Sequence, residues 1–287
     1  MSVKIAFIGG DMRSLVAAEK LSENGFECAV CGFDGAANIP ETLTRTDDLS
    51  SAVEKAACVV LPIPSSVDKL RVNCPFSEKE IYIVSVLSLL KENQLLLCGM
   101  LDKKIREVHE RMIDISERED FRLLNAVPAA EGAIGIAMDE LSVTLQGSRI
   151  AVFGFGRIGK ALAFRLKALG SRVTVCTEDT DELAFAESFA FAPLPLEDAA
   201  DAVDGADCVF NTIPAVFLDD RVFAEVSPPS LIIDLASRPG GVDREAAAER
   251  GIKTVWALGL PGKTSPTTAG EVIHRTVTNV LREEGMI

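Results

Sequence analysis

The sequence has few of the features that mark membrane, secreted or nucleic-acid-binding proteins. No apolar stretch approaches the ~20 residues that a membrane-spanning helix requires. The N-terminus leads directly into a strand and a glycine turn, without the apolar segment of a secretory leader. Lys and Arg number 29 against 43 Asp and Glu, a formal net charge of −14, so basic surface is scarce. We therefore expect a cytoplasmic protein that binds neither nucleic acid nor a membrane.

Histidine and paired cysteines are also scarce. The two histidines, His109 and His274, fall in helical patterns, where we expect surface positions. The seven cysteines are an odd number and are scattered through apolar runs, which is typical of reduced core residues. Cys28 and Cys31 form a C-x-x-C that lacks a second pair, so a metal or redox role is the minor alternative. We expect no metal site.

The chain does contain, in both halves, short Val-, Ile- and Leu-rich runs that alternate with helical patterns. This order is typical of βαβ units around a parallel sheet, and 287 residues suit two domains. We predict an α/β fold of two doubly wound parallel-sheet domains joined by crossing helices. The first is a flavodoxin-like substrate domain over residues 1–127, and the second is a Rossmann domain over residues 128–287.

Local patterns predict three details of this organisation. Ile81–Val84 is one of the strands predicted in the first domain. Pro128 should open a crossing helix that runs to about Glu140, because proline is favoured in the first helical turn. The C-terminal helix, residues 269–287, could pack back on the first domain.

The second half carries a glycine turn of the G-x-G-x-x-G type. It runs from Gly154 through Phe155, Gly156, Arg157 and Ile158 to Gly159, after an apolar strand and before an amphipathic helix. Such a context is typical of a dinucleotide site, in which the helix N-terminus attracts the pyrophosphate. We predict that these residues bind a nicotinamide cofactor.

The choice between NAD and NADP depends on the end of the next strand. An acidic residue there binds the ribose hydroxyls, whereas an arginine binds a 2′-phosphate. Thr177 holds this position and Glu178 follows it. The local acidity favours NAD, but the threonine leaves the choice open.

Further loops follow later strands of the second half, at the edge where a nicotinamide ring and its substrate would sit. We expect cofactor contacts from two of these loops: Asn211, Thr212, Ile213 and Pro214 in the first, and Asp234, Ala236 and Ser237 in the second. A third loop runs over residues 259–270. In the first half, Arg13 follows a Gly-Gly-Asp turn and could bind a substrate carboxylate through paired donors. Equally, Asp11 could cap the helix and Arg13 could lie on the surface.

The order of parts resembles the D-2-hydroxyacid dehydrogenase and alanine dehydrogenase group, with one departure. The hydroxyacid enzymes place a catalytic histidine before the last helix, and Thr267 holds that position here. A closer resemblance is to the dipicolinate synthase A-subunit family. It is carried by residues 125–134, 154–157, 210–215, 234–241 and 259–263, and more loosely by the glycine turn of the first half.

This resemblance implies a sporulation enzyme of the mother cell that oxidises dihydrodipicolinate to pyridine-2,6-dicarboxylate. It also implies that the partner is a flavoprotein-like B subunit, and that an arginine, which this sequence lacks, lies near Glu178. Two substrate carboxylates need cations, for which our candidates are Arg13, Arg238 and Lys263; Glu131 or a desolvated Lys263 could be the base. We also expect a homo-oligomer. The alternatives are a cofactor-binding scaffold or regulatory subunit without chemistry, and a 2-hydroxyacid dehydrogenase.

Overall fold

The protein is described by a computed structural model that covers residues 3–224 and 226–287. It folds as two compact units. The first ends at Asn125 and takes up the chain again from Pro261 to Ile287, and the second runs from Ala126 to Leu260. The second unit therefore stops short of residue 287, the predicted end of the second domain.

The first unit is built on a parallel sheet. Its strands are β1 (Lys4–Ile8), β2 (Glu27–Cys31), β3 (Thr44–Arg45), β4 (Cys58–Val60), β5 (Leu95–Cys98) and β6 (Met112–Asp114). The helices that begin here are α1 (Met12–Glu23), α2 (Leu49–Lys55), α3 (Ile83–Leu89), α4 (Lys103–Arg106) and α5 (Glu119–Glu140). The strands lie in the order β3-β2-β1-β4-β5-β6. Without the short edge strand β3, this is the 2-1-3-4-5 order of flavodoxin-like sheets.

Strand β1 is buried on both faces, which explains its continuous run of apolar residues. Ile5 and Phe7 enter one hydrophobic cluster with Leu15 of α1. Ala6 and Ile8 enter a second cluster on the opposite face. The first unit thus has a core on each side of its sheet.

The second unit is also built on a six-stranded parallel sheet. Its strands are β7 (Arg149–Phe153), β8 (Arg172–Thr177), β9 (Ala192–Pro195), β10 (Cys208–Asn211), β11 (Leu231–Asp234) and β12 (Lys253–Trp256). Its helices are α6 (Arg157–Ala168), α7 (Thr180–Ser188), α8 (Ala199–Val203), α9 (Asp220–Phe223) and α10 (Arg244–Glu249). The order β12-β11-β10-β7-β8-β9 is the Rossmann order 3-2-1-4-5-6 read from the other edge. The predicted α/β fold with two doubly wound sheets is confirmed.

Two predicted elements are wrong. The strand predicted at Ile81–Val84 is absent, because α3 already begins at Ile83. The helix predicted to open at Pro128 begins at Glu119, and Pro128 lies inside it. Phe121 and Ala126 are buried, so packing continues the helix through a proline that the sequence pattern marks as a start.

The chain returns to the first unit through α11 (Leu260–Thr264) and α12 (Pro266–Glu283). Helix α12 packs along α1: Ile273, Val277 and Val280 are buried in the same cluster as Leu15 and Leu21. This apolar face holds the C-terminal segment to the first unit. Over residues 3–224 and 226–287, no helix combines the length and hydropathy needed to cross a membrane.

Gly270 and Gly135 offer a matched pair of substitutions. A Cβ at Gly270 would lie 2.6 Å from the Cβ of Val16 and 2.8 Å from the carbonyl oxygen of Arg13. Gly270→Ala should therefore push α12 from α1 and lower the free energy of unfolding by about 1–3 kcal/mol. At Gly135 in α5 an added Cβ meets nothing within 4 Å, and alanine should add up to about 1 kcal/mol of helix propensity. Urea unfolding followed by circular dichroism measures both; equal stability of the two variants would contradict the close packing of α12 on α1.

Candidate functional site

The glycine turn lies between β7 and α6, at the centre of the second sheet. From β7 the strand order runs outward through β8 on one side and through β10 on the other. Open α/β sheets bind ligands at such a switch point, beyond the carboxyl ends of the strands. We therefore expect a ligand site at the loops that follow β7, β8, β10 and β11.

The three glycines of the turn differ in what an added side chain would meet. Gly154 has a φ of 82°, and a side chain there would overlap Oγ1 of Thr212. At Gly159 a Cβ would collide with the carbonyl oxygen of Gly154, so the helix and the turn meet at backbone contact. At Gly156 nothing lies within 4 Å of an added Cβ. This open space at the N-terminus of α6, where amide groups and the helix dipole attract phosphate, fits the pyrophosphate of a dinucleotide.

The other residues of the turn divide between core and surface. Phe155 is fully buried and packs against Phe185 and Phe191, with ring centroids 6.0 and 5.7 Å away. Ile158 is half-buried against the same core. Arg157 is exposed at the first position of α6. Phe155 thus anchors the turn, and the exposed side of the turn presents Gly156 and Arg157.

The loop after β10 supports the turn from within the unit. The Thr212 hydroxyl donates to the carbonyl oxygen of Phe153 at 2.9 Å, at the end of β7. Asn211 is fully buried, donates to the carbonyl oxygen of Ile213 at 3.0 Å and accepts from the Ile213 amide at 3.0 Å. Only Pro214 of the predicted contacts in this loop is exposed. The side chains of Asn211 and Thr212 therefore hold the loops in place.

Asp234, at the end of β11, is a buried acid that accepts three hydrogen bonds. It is 2% exposed and accepts from Asn211 Nδ2 at 2.8 Å, from the Ala236 amide at 3.0 Å and from the Gly241 amide at 3.0 Å. These bonds fix both ends of the loop that carries Ser237 and Arg238. Because both of those side chains are exposed, the loop presents a hydroxyl and a guanidinium on a rigid base.

Two residues near these loops belong to no sequence motif. Trp256 of β12 donates its indole N–H to the carbonyl oxygen of Ala236 at 2.9 Å, and the guanidinium of Arg238 lies 5.7 Å from its ring centroid. Glu182 of α7 accepts a hydrogen bond from the Thr177 hydroxyl at 2.9 Å, while Glu178 is exposed. An isolated tryptophan or glutamate has no spacing that would reveal such a contact.

Within the first unit, Arg13 lies beside Gly262 of α11, the neighbour of Lys263. Its Nε and Nη2 donate to the Asp11 carboxylate, at 3.0 and 2.8 Å to Oδ2, and Nη2 also donates to the carbonyl oxygen of Ile63 at 2.6 Å. A Cβ at Gly262 would lie 3.0 Å from Arg13 Nε. Asp11 also caps α1 by accepting from the Arg13 amide. The structure thus binds Arg13 firmly to Asp11 and places Gly262, the neighbour of exposed Lys263, close to its guanidinium.

Glu131 lies on α5 in the second unit, apart from the glycine turn. Its Oε1 accepts from Arg165 Nε at 3.1 Å in an exposed ion pair. Arg165 is nine residues after Gly156, so it lies about 13 Å along α6 from the turn. The structure does not bring Glu131 to the N-terminus of that helix.

Neither histidine lies in these loops. His109 Nε2 is 2.8 Å from the carbonyl oxygen of Gln94, and His274 Nε2 is 2.8 Å from Asn24 Nδ2. Burial lowers the pKa of His274. Thr267 is exposed in the first turn of α12. No imidazole therefore replaces the catalytic histidine of the hydroxyacid enzymes.

The cysteines are free thiols. Burial raises the pKa of Cys28 to about 12 and that of Cys31 to about 11, so both stay protonated at neutral pH, the form that does not bind metals or react as a nucleophile. In the part of the chain that the structure describes, no group of three or more His, Cys, Asp or Glu could hold a metal ion.

The fold and the glycine turn define a class of proteins, and comparison with known proteins agrees. Residues 130–250 match the NAD-binding domain of D-isomer-specific 2-hydroxyacid dehydrogenases. That stretch contains the glycine turn and the loops after β8, β10 and β11. The protein is an NAD(P)-dependent oxidoreductase.

Further matches assign the chain to a particular protein family. Residues 4–114 match the N-terminal domain of the dipicolinate synthase A subunit. The dipicolinate synthase A subunit of Bacillus subtilis (strain 168) is 30% identical over 286 residues, which cover 98% of this chain and 96% of that protein. This chain belongs to the dipicolinate synthase A-subunit family, which confirms the resemblance seen in the sequence.

Crystal structures of the family agree over the full length. The dipicolinate synthase A subunit from Bacillus halodurans is 29% identical, with a TM-score of 0.89 and 97% of each chain covered. Its counterpart from Bacillus subtilis is 30% identical, with a TM-score of 0.88, and the match covers 99% of this chain and 97% of that one. Both units therefore have counterparts in one protein family.

Gly156 and Gly159 allow a test that separates nucleotide binding from folding. Gly156→Ala adds a methyl group in open space, so we expect an unchanged melting temperature but NADH or NADPH affinity lowered about tenfold, since the methyl would keep phosphate from the backbone. Gly159→Ala should lower the melting temperature, because the methyl collides with the backbone of Gly154. Nucleotide fluorescence titration and thermal unfolding measure the two effects. Unchanged affinity in Gly156→Ala would contradict the placement of the pyrophosphate.

Proposed function

We propose that this chain oxidises dihydrodipicolinate, a cyclic imine or dihydropyridine dicarboxylate, to pyridine-2,6-dicarboxylate during sporulation, in the mother cell. The observation that carries the proposal is the match to the Bacillus subtilis dipicolinate synthase A subunit over 96% of that protein's length. Because the match spans both units, it includes the nucleotide site and also the loops of the first unit.

The chemistry suits a site without histidine. The oxidation removes one hydrogen with its bonding electrons and a second as a proton, and a bound nicotinamide supplies the acceptor for the hydride. Formation of an aromatic ring drives the reaction. An alcohol needs a base for its hydroxyl proton, whereas the ring C–H next to an imine is already acidified. Thr267 at the histidine position is therefore compatible with this reaction.

The substrate carboxylates call for cations, and we propose three. Arg238 stands exposed on the loop that Asp234 holds. Arg13 is fixed by Asp11 and Ile63, and its Nη1 makes no hydrogen bond to the described residues. Lys263 is exposed on α11 and serves as a third cation; it is not the desolvated base that the sequence suggested. Glu131 is also poorly suited to act as the base because of its ion pair with Arg165.

Alanine variants of the cations test this proposal. Arg238→Ala and Lys263→Ala should each lower the rate of pyridine-2,6-dicarboxylate formation ~30-fold or more, the equivalent of about 2 kcal/mol of lost charge pairing. Arg244→Ala is the control for Arg238, because Arg244 also lies over Trp256, 4.5 Å from the ring centroid, but on α10 outside the loop. The ultraviolet absorbance of the product measures the rate. Unaltered kinetics in both test variants would refute the assignment.

A second candidate is a cofactor-binding scaffold or regulatory subunit for a flavoprotein-like B subunit, which the absence of a histidine in the site also favours. The same assay separates the two. We expect turnover by the purified chain with NAD or NADP, whether or not the B subunit is added. Turnover by the isolated B subunit would favour the scaffold. We also propose that this chain assembles with the B subunit and that it forms a homo-oligomer.

A 2-hydroxyacid dehydrogenase is the third candidate, because residues 130–250 match the NAD-binding domain of that family. It predicts reduction of small 2-keto acids. Thr267 argues against this function, because it replaces the histidine whose imidazole would exchange a proton with the substrate oxygen.

A further inference from the structure

The end of β8 determines which nicotinamide cofactor a Rossmann domain accepts, and here it is unusual. Thr177 stands where an acid would bind the ribose or an arginine would bind a 2′-phosphate. We infer that this chain binds NAD in preference to NADP, and that Glu182 sets the preference by supplying the missing carboxylate. The inference deepens the proposed function and rests on it for the role of the nucleotide.

Glu182 reaches the strand end through Thr177. The Thr177 side chain is 4% exposed, and its hydroxyl donates to Glu182 Oε2 at 2.9 Å. The same hydroxyl accepts from the Asp179 amide at 3.3 Å, which leaves its proton for the glutamate. A carboxylate from the first turn of α7 is thereby held beside the last residue of β8. It can accept hydrogen bonds from ribose hydroxyls as an acid at the strand end would.

A cation beside this carboxylate is already engaged. Lys160 of α6 places Nζ 3.7 Å from Glu182 Oε1. The same Nζ lies 5.5 Å from the ring centroid of Phe155 and 5.1 Å from that of Phe185. Lys160 would have to leave Glu182 and both rings to pair with a 2′-phosphate.

The amides at the start of α7 are engaged too. A helix N-terminus can attract phosphate through its free N–H groups. Here the amides of Asp181 and Glu182 both donate to Asp179 Oδ1, at 2.8 and 3.2 Å. The cap therefore engages two of the amides that could otherwise bind a 2′-phosphate at this helix start.

The local charge opposes a phosphate as well. Residues 177–182 read Thr-Glu-Asp-Thr-Asp-Glu, with four carboxylates and no lysine or arginine. A phosphate monoester carries about −1.5 to −2 charges at neutral pH. Placing it among these side chains brings like charges together, whereas the ribose hydroxyl of NAD meets hydrogen-bond acceptors.

Nucleotide binding to the full chain tests the inference independently of catalysis. We would titrate NADH and NADPH separately and follow nucleotide fluorescence. The wild-type chain should bind NADH at least about tenfold more tightly, a difference of about 1.4 kcal/mol. Glu182→Gln should reduce that ratio to about a third or less, in the direction expected for a lost charge-assisted hydrogen bond.

Two further variants separate position from charge. Glu187→Gln removes one negative charge from an exposed site five residues further along α7, about 7.5 Å along the helix, and should keep the wild-type ratio. Thr177→Val keeps the charge but removes the hydroxyl that holds Glu182, and should lower the ratio as Glu182→Gln does. Circular dichroism verifies that each variant is folded.

The outcomes distinguish this inference from the function on which it rests. Equal or tighter binding of NADPH by the wild-type chain would overturn the inference and leave the dehydrogenase assignment standing. A change in Glu187→Gln as large as in Glu182→Gln would overturn the role of Glu182. Binding of neither nucleotide would contradict the dehydrogenase assignment and the inference together.

Discussion

The second unit depends on one buried carboxylate, Asp234. An acid that is 2% exposed would cost several kcal/mol if it stood unpaired. Asp234 instead accepts from the amides of Ala236 and Gly241 and from the side chain of Asn211. These bonds tie the end of β10 to the end of β11, and Thr212, the next residue, ties the same loop to the end of β7. The loops that surround the nucleotide site therefore share one hydrogen-bonded frame.

Much of the fold could be predicted because strands and glycine turns leave local patterns. The strands at Lys4–Ile8 and Arg149–Phe153, and the alternation that places helices between them, are of this kind. Pro128 shows the limit of local patterns. It is favourable at a helix start, but the helix begins earlier because buried side chains such as Phe121 continue it. The strand β9 escaped prediction since it contains two prolines, which only an edge strand tolerates.

The candidate site could likewise be predicted only where its residues form a local pattern. Gly154, Gly156 and Gly159 have roles that depend on neighbours in the chain, so their spacing reveals them. The bond between Asn211 and Asp234 joins residues 23 apart, and its geometry exists only once the sheet has formed. The sequence pattern therefore assigns these two side chains to the cofactor, whereas the structure engages them with each other. The exposed groups, Arg238 above all, are the ones that we propose for the substrate.

In one α/β framework, buried polar groups thus shape the loops, and we propose that exposed groups bind the ligands. The central claim is that this chain itself passes a hydride from the ring of its substrate to a nicotinamide. The direct measurement uses dihydrodipicolinate deuterated at the ring carbon that loses hydride, incubated with the purified chain and the oxidised nucleotide. We expect deuterium at C4 of the reduced nicotinamide, in equal amount to the pyridine-2,6-dicarboxylate formed. Pyridine formation with the deuterium recovered only in water would contradict the claim.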